Sequence, residues 1–396
     1  MRTNKRYPCS TLTMNGWLKI SRYVLRPKTK ADADALHALE GVNAVVPLDD
    51  YLCLTGLPFR MTPEVMLNTA FWAQGQSSYQ EAEDAIMRAY QLKINDDTVR
   101  QVTNYIGNIV FQKDCKKAEE AYDMLNSGKL RFPSQKKKGV LYIETDGATL
   151  NTRSKDEDGS SWRENKLGIV FSTDNIHTWT NKKGEKQHQI CKREYVSYIG
   201  SVSEFKKHLF SCALKNGYGT YAKTILLGDG ATWIRNMREE LFPDVQQILD
   251  FCHLSENVNV YAKHLFGTEP AQYSAWAGEM RDLLEASKWD EVLVDLKNRK
   301  KPGSCPVDLY SYINNNIDNI DYANYKKEGY FIGSGAIESG NKSVLQQRLK
   351  QAGMRWNVPS AQCLLTLRTK YKSDLWVQEV VRPVLKLLQA NPNFQF

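Results

Sequence analysis

Gly139-Val140-Leu141-Tyr142-Ile143-Glu144-Thr145-Asp146-Gly147-Ala148 is the stretch that decides the fold. Val140 to Ile143 is an apolar run of strand length, bounded by Gly139 and by an Asp-Gly pair, which reads as a buried strand. Thr224-Ile225-Leu226-Leu227-Gly228-Asp229-Gly230-Ala231 repeats the ending: a second apolar strand closed by the same Asp-Gly-Ala triplet. Between the two, Leu167–Ser172 and Glu194–Ile199 read as strands, and Ser203–Asn216 reads as a helix with Ser203 as its cap. After Asp229 come a helix from Ala231 to Leu241, a short strand Gln247–Asp250 and a helix over 254–266.

The resulting order, β-β-β-α-β-α-β-α, is that of a ribonuclease H-like core, an α/β fold with a mixed sheet flanked by helices. Residues 139–268 form its first part. Residues 269–330 carry helical signals rich in Trp, Glu and Lys with no strand signal, which reads as an all-α insertion. Residues 331–396 are expected to complete the core with a helix from about Ala336 to Ala352 and further C-terminal helices.

Upstream, residues 127–138 make a linker, with Asn126-Ser127-Gly128 followed by Pro133-Ser134-Gln135-Lys136-Lys137-Lys138. Residues 61–126 read as helical. Thr62-Pro63-Glu64 is a helix start, and Asp96 or Asp97 caps a second short helix, Thr98 to Ile106. Its polar residues, Arg100 among them, suit a helix-turn-helix contact with DNA. Residues 1–60 are a basic, β-rich segment with an Asn15-Gly16 hairpin turn.

Composition narrows the function without choosing it. The 396 residues carry 53 Lys and Arg against 45 Asp and Glu, a net charge of +8 that fits a polyanionic partner. Eight scattered cysteines with no Cys-x-x-Cys pair argue against a zinc module and suit free thiols in a reducing compartment. No apolar stretch suggests a signal peptide or a membrane span, so the expected location is the cytoplasm, or wherever the DNA lies.

Asp146 and Asp229 close the first and fourth strands, which are neighbours in such a sheet, so both carboxylates should emerge at one edge. Singly, an Asp-Gly pair is ordinarily a turn or a cap. Two apolar strands with the same ending point instead to hard oxygen ligands for Mg²⁺ or Mn²⁺. Two such ions can activate an attacking oxygen and stabilise a leaving one. Glu338, in Gly333-Ser334-Gly335-Ala336-Ile337-Glu338-Ser339-Gly340-Asn341-Lys342, stands at a helix start, with Lys342 one turn on along the same face. Arg348 and Lys350 follow roughly 15–18 Å along the axis, within reach of flanking phosphates. Asp250-Phe251-Cys252-His253 follows the fifth strand. His253 is a candidate to position a phosphate or a leaving group and Asp250 to orient it, while a hard ion avoids the Cys252 thiolate.

These motifs resemble the DDE transposases of bacterial insertion sequences, in the subgroup with an Asp-x-x-His signature related to mutator-like transposases. The resemblance covers about residues 60–376 and rests on four motifs in order. They are Tyr142 to Ala148, Gly228 to Ile234, Phe242-Pro243 leading into Ile248 to His253, and Glu338 followed by Gln347 to Trp356. It implies that Asp146, Asp229 and Glu338 hold the metal ions, that Asp250 and His253 form the helper pair, and that Arg348, Lys350 and Trp356 contact DNA. It also implies metal-dependent strand cleavage at element ends and strand transfer into target DNA, by a homodimer or larger assembly. Two other readings stay open: a ribonuclease H-like nuclease or resolvase that cuts without joining, and a catalytically silent DNA-binding derivative.

Overall fold

The computed structural model describes residues 5–40, 43–55, 57–267, 269–299, 302–303 and 305–389. Contacts divide the chain into two units. One comprises residues 1–115, 152–154 and 344–396; the other comprises 116–151 and 155–343.

The first unit opens on a hairpin, β1 (Arg6–Thr13) and β2 (Gly16–Tyr23), turned at Asn15-Gly16. Helices follow at Pro63–Gly75, Tyr79–Tyr90 and Asp96–Asn126. Ser78 caps the second of these by accepting from the Glu81 N–H. The third helix runs 31 residues and does not stop at Ile106. Its apolar positions Val99, Val102, Ile106 and Val110 recur at helical spacing, and no proline interrupts it. These residues share one core with Leu12 of the hairpin, with Val65, Met66 and Ala70, and with Leu367, Val380 and Val384. Residues 331–396, expected to complete the α/β core, therefore divide. From Val344 onward they pack with the N-terminal helices, because their apolar faces complete that core.

The second unit is a mixed α/β layer structure. Its five-stranded sheet runs β7-β4-β3-β8-β9, with β3 (Lys137–Asn151), β4 (Trp162–Ser172), β7 (Glu194–Ile199), β8 (Tyr221–Gly228) and β9 (Gln246–Leu249). β3, β4 and β7 form an antiparallel meander; β8 and β9 run parallel to β3. A two-stranded hairpin, β5 (Ile176–Thr180) and β6 (Lys186–Ile190), stands apart from the sheet. It carries no strand signal in sequence, because its mostly exposed strands have no buried face to alternate.

Side chains alternate across the sheet. Leu141, Ile143, Val170 and Leu226 pack on one face against Phe205, Leu209, Ile234, Met237 and Leu241 of helices Val202–Lys215 and Thr232–Leu241. Ser201, not Ser203, caps the first of these helices. Tyr142, Glu144 and Asp146 belong to the opposite face. There Tyr142 meets Phe331, and Glu144 accepts from the Ile337 N–H. Between the helix Phe251–Phe266 and Ser334 the described chain is helical, over Pro270–Glu285, Trp289–Asn298, Leu309–Asn314 and Tyr322–Lys327. Among the described residues no helix is long and apolar enough to cross a membrane.

The two Asp-Gly pairs differ in conformation. Gly147 stays in the strand, paired with Lys166, and β3 continues to Asn151. Gly230 turns at φ +80°, and a Cβ there would meet Leu249 Cδ1 at 2.7 Å. At Gly147 a Cβ would meet only the end of the Glu164 carboxylate, which can swing aside. Gly230→Ala should therefore destabilise the fold by about 1–3 kcal/mol, through backbone strain and overpacking. Gly147→Ala should cost under about 1 kcal/mol. Urea unfolding of the two variants checks this, and equal losses would contradict it.

Candidate active site

Strand register brings the first two carboxylates side by side. The parallel pairing of β3 with β8 ends at Glu144 and Leu227. Asp146 and Asp229 each stand two residues further on, on strands about 4.8 Å apart. One Asp146 oxygen accepts from the Gly147 N–H at 2.8 Å, and the other accepts from Asn341 Nδ2 at 2.6 Å. Asp229 accepts from the Ala231 N–H at 3.0 Å, and its backbone carbonyl accepts from the Tyr312 hydroxyl at 2.6 Å. Burial, together with the Asp229 charge, holds Asp146 above the usual carboxylate range. The opposing effects of the Gly147 and Asn341 bonds and of His253 do not cancel that.

Asp250 is fully buried as the N-cap of the helix Phe251–Phe266. Oδ1 accepts from the N–H groups of Cys252 (3.1 Å) and Ser334 (2.9 Å). Oδ2 accepts from the Ser334 hydroxyl (2.7 Å), the His253 N–H (3.3 Å) and His253 Nδ1 (2.5 Å). Burial alone would raise this carboxyl, yet the bonds from His253 and Ser334 hold it below its ordinary value. His253 is the counterpart. The Asp250 bond outweighs burial, and the charges of Asp250, Asp146 and Asp229 add to it, lifting the imidazole to about 9. At neutral pH it is therefore a cation in the field of Asp146 and Asp229.

Glu338 lies on the short helix Gly335–Gly340, half-buried. Among the described residues, the group compact enough to surround one ion is Asp250, Cys252 and Glu338, with ligand atoms within 4.8 Å of one another; Asp146, Asp229 and Glu338 do not form such a group. The compact group suits a hard ion poorly. Both Asp250 oxygens are committed to donors, and the thiol is soft. The Asp146, Asp229 and Glu338 set supplies hard oxygens, and a cation would relieve the repulsion that raises Asp146.

Past Gly340 the expected helix runs on, but its winding widens. Asn341–Gln346 is π-helical and Gln347–Leu349 is a brief α turn. The wider winding changes which residue faces the site. Lys342, expected beside Glu338, is exposed, and Asn341 reaches Asp146 instead.

The model of the Uncharacterised protein family (UPF0236) matches residues 48–380. The chain belongs to UPF0236. No curated protein matches it.

In this UPF0236 member the residues expected to touch DNA divide between the units: Arg100, Arg348, Lys350 and Trp356 belong to the first and Lys342 to the second. Arg100 pairs with Asp97 at 2.6 Å and Lys350 is exposed. Arg348 and Trp356 are 1% and 8% exposed, so neither lies on an open face as expected. Trp356 Nε1 donates to the Leu349 carbonyl, which fixes the indole beside Arg348.

Sequence reasoning missed Glu144, Asn341, Ser334 and Tyr312 as site residues. Three of them, Glu144, Ser334 and Asn341, lie within the motif stretches of the sequence. Glu144 is two residues before Asp146, so strand alternation places it on the same face. It is 1% exposed, and burial pushes its carboxyl up to about 8, against the bond from Ile337. The raised value has a definite sign in stability. Below about pH 4.5 both folded and unfolded chains hold the proton. As pH rises toward 8 the unfolded chain loses it first, so the fold loses stability, and the loss is complete above 8. His253 acts in the same direction: its contribution is full below about 6.5 and lost as pH passes 9. Glu144→Gln keeps an acceptor for Ile337 and removes the first slope. The variant should be more stable than the wild type by on the order of 3 kcal/mol at pH 8.5, and no more stable at pH 4. Thermal unfolding in EDTA at the two pH values reads this directly. Parallel pH profiles would refute it.

Proposed function

We propose that this protein is a DDE-type transposase, a divalent-metal-dependent enzyme that cuts DNA strands at the ends of an insertion sequence and joins them to a target. The observation that carries this reading is the position of Asp146 and Asp229, each two residues past the last paired residues of adjacent parallel strands, with His253 lining the pocket beside Asp229. The sheet order and direction also match those of a ribonuclease H-like core, which we propose as the fold. Asp146, Asp229 and Glu338 would hold Mg²⁺ or Mn²⁺, and the ions would supply an activated attacking oxygen and a stabilised leaving oxygen.

The chain's own residues do the rest. A pocket of about 500 Å³ opens beside Asp229 and is lined by Arg235, His253, Asn257, Tyr312 and Asn316, among others. It can seat the nucleotide at the scissile bond. Water in cutting, and the freed 3′-hydroxyl in joining, forms a new bond to phosphorus while the opposite P–O bond breaks. His253, with Nδ1 held by Asp250, presents Nε2–H to a phosphate oxygen or to the departing oxygen, to which it can give a proton. Asn341 fixes the Asp146 carboxylate, Tyr312 holds the backbone at Asp229, and Glu144 anchors the helix that carries Glu338. Two element ends need two such sites, so the working form would be a dimer or larger on DNA, in the cytoplasm where the chromosome lies.

The test is a cutting and joining assay with the DNA that flanks the gene and with pre-cut ends, in Mg²⁺. Nicks with 3′-hydroxyls followed by joined products are expected. Cutting without joining would mark a nuclease or resolvase. Salt-sensitive binding with no cutting would mark a catalytically silent derivative.

A further inference from the structure

The first unit holds an open pocket of about 760 Å³ lined by Arg100, Arg153, Arg348, Arg355, Asp97 and Trp356, with serine and asparagine side chains around them. Four guanidinium groups face one carboxylate, and Asp97 already accepts from Arg100 at 2.6 Å. Arg153 and Arg355 are exposed at the surface.

Arg348 is the member that needs explaining. Its guanidinium lies against the rings of Tyr79 and Trp356, 4.7 and 5.3 Å from their centroids. Nε makes one long bond, 3.4 Å, to the Ala73 carbonyl, and Nη2 has no hydrogen-bond partner. Among the described residues no carboxylate forms an ion pair with it. A buried charge normally has a partner, because desolvation costs several kcal/mol. Two aromatic faces hold the fork rigid but do not satisfy its donors. An anion in the pocket would do both jobs, completing the bonds and compensating the charge. Planar paired N–H donors suit phosphate oxygens.

We infer that this pocket takes one phosphate group of a DNA strand, outside the carboxylate site. The phosphate chemistry follows from the pocket; DNA as its source rests on the function proposed above. Arg348 is the fixed donor, and Arg153 and Arg355 close over the phosphate from the rim. Trp356, expected as a direct DNA contact, acts by holding Arg348.

The experiment uses the full chain in EDTA, so that binding is read without strand cutting. The probes are a short duplex of random sequence and inorganic phosphate. Wild-type affinity for the duplex should fall with salt, and Arg153→Ala and Arg355→Ala should each flatten that log–log slope, by no more than about 1 when the two are combined. Phosphate should raise the melting temperature of the wild type, but not that of Arg348→Met, in which the donors are gone. Should Arg348→Met fail to fold, the two rim variants and the milder Arg348→Lys carry the test. Unchanged salt slopes in both rim variants overturn the proposal. Phosphate protection with unchanged duplex slopes overturns the assignment to a DNA strand. A chain that binds this way and never cuts would sink the transposase reading and leave the pocket standing. A chain that cuts and joins with unaltered slopes would do the reverse.

Discussion

Asp146→Asn is expected to abolish metal-dependent cutting and joining, by about 10³-fold or more, equivalent to at least about 4 kcal/mol in the barrier. The substitution changes one atom and keeps the side chain's shape. One oxygen can still accept from Gly147, whose N–H lies 2.8 Å from the present carboxylate. What disappears is the negative charge beside Asp229. That charge is what an ion would bind, and burial and Asp229 already disfavour it in the free protein. The fold should therefore tolerate Asn, so the melting temperature in EDTA should change little while activity is lost. Asp229→Asn should behave alike, since its bond to Ala231 also needs only one oxygen. An Asp146→Asn protein that still cuts and joins element ends with Mg²⁺ would sink the assignment. So would a loss of activity explained by unfolding alone.

The site was legible where strand patterning carried the chemistry. Val140–Ile143 and Thr224–Leu227 are apolar runs, and Asp229 follows the end of its strand as expected, whereas Asp146 lies inside β3, which runs on to Asn151. The register of β3 on β8 still brings the two acids side by side. The identical Asp-Gly-Ala endings still hid a difference. Whether Gly147 continues a strand or turns depends on Lys166 pairing with it from another strand, which local sequence does not encode.

The widened winding from Asn341 was illegible for a related reason. Ala336 to Ala352 has ordinary helix formers and no proline, so local propensity favours a single α-helix. Tertiary contacts decide otherwise. Gly340 packs so closely on Tyr195 that a Cβ would lie 2.7 Å from its ring, and Asn341 is drawn to Asp146. Val344 and Leu345 are buried within the widened segment. Arg348 shows the same limit for charge. A basic residue on a polar-looking helix reads as exposed, and it is Tyr79, from distant sequence, with Trp356 folding back after the helix, that encloses it.

Asp250→Ala is expected to cost about 3–5 kcal/mol, the usual loss when a buried charge loses its partner. Five donors converge on this carboxylate: the N–H groups of Cys252, His253 and Ser334, the Ser334 hydroxyl and His253 Nδ1. Alanine leaves all five without an acceptor inside the fold and also removes the helix cap. Asp250→Asn separates charge from shape. It can accept on one side only, so either the Oδ1 donors or the Oδ2 donors face an amide N–H. Without the full charge, His253 should titrate well below 9 and lie nearer its ordinary value, because Asp250 is the largest cause of its rise. The imidazole would then be neutral above about pH 7 and could not keep a cation opposite Asp146 and Asp229. Activity of Asp250→Asn should accordingly fall more steeply with rising pH than that of the wild type. Urea unfolding measures the first effect, and the histidine C–H resonances in NMR measure the second. A His253 that still titrates near 9 in Asp250→Asn would show that Asp146 and Asp229 hold the imidazolium, and that Asp250 serves the fold alone.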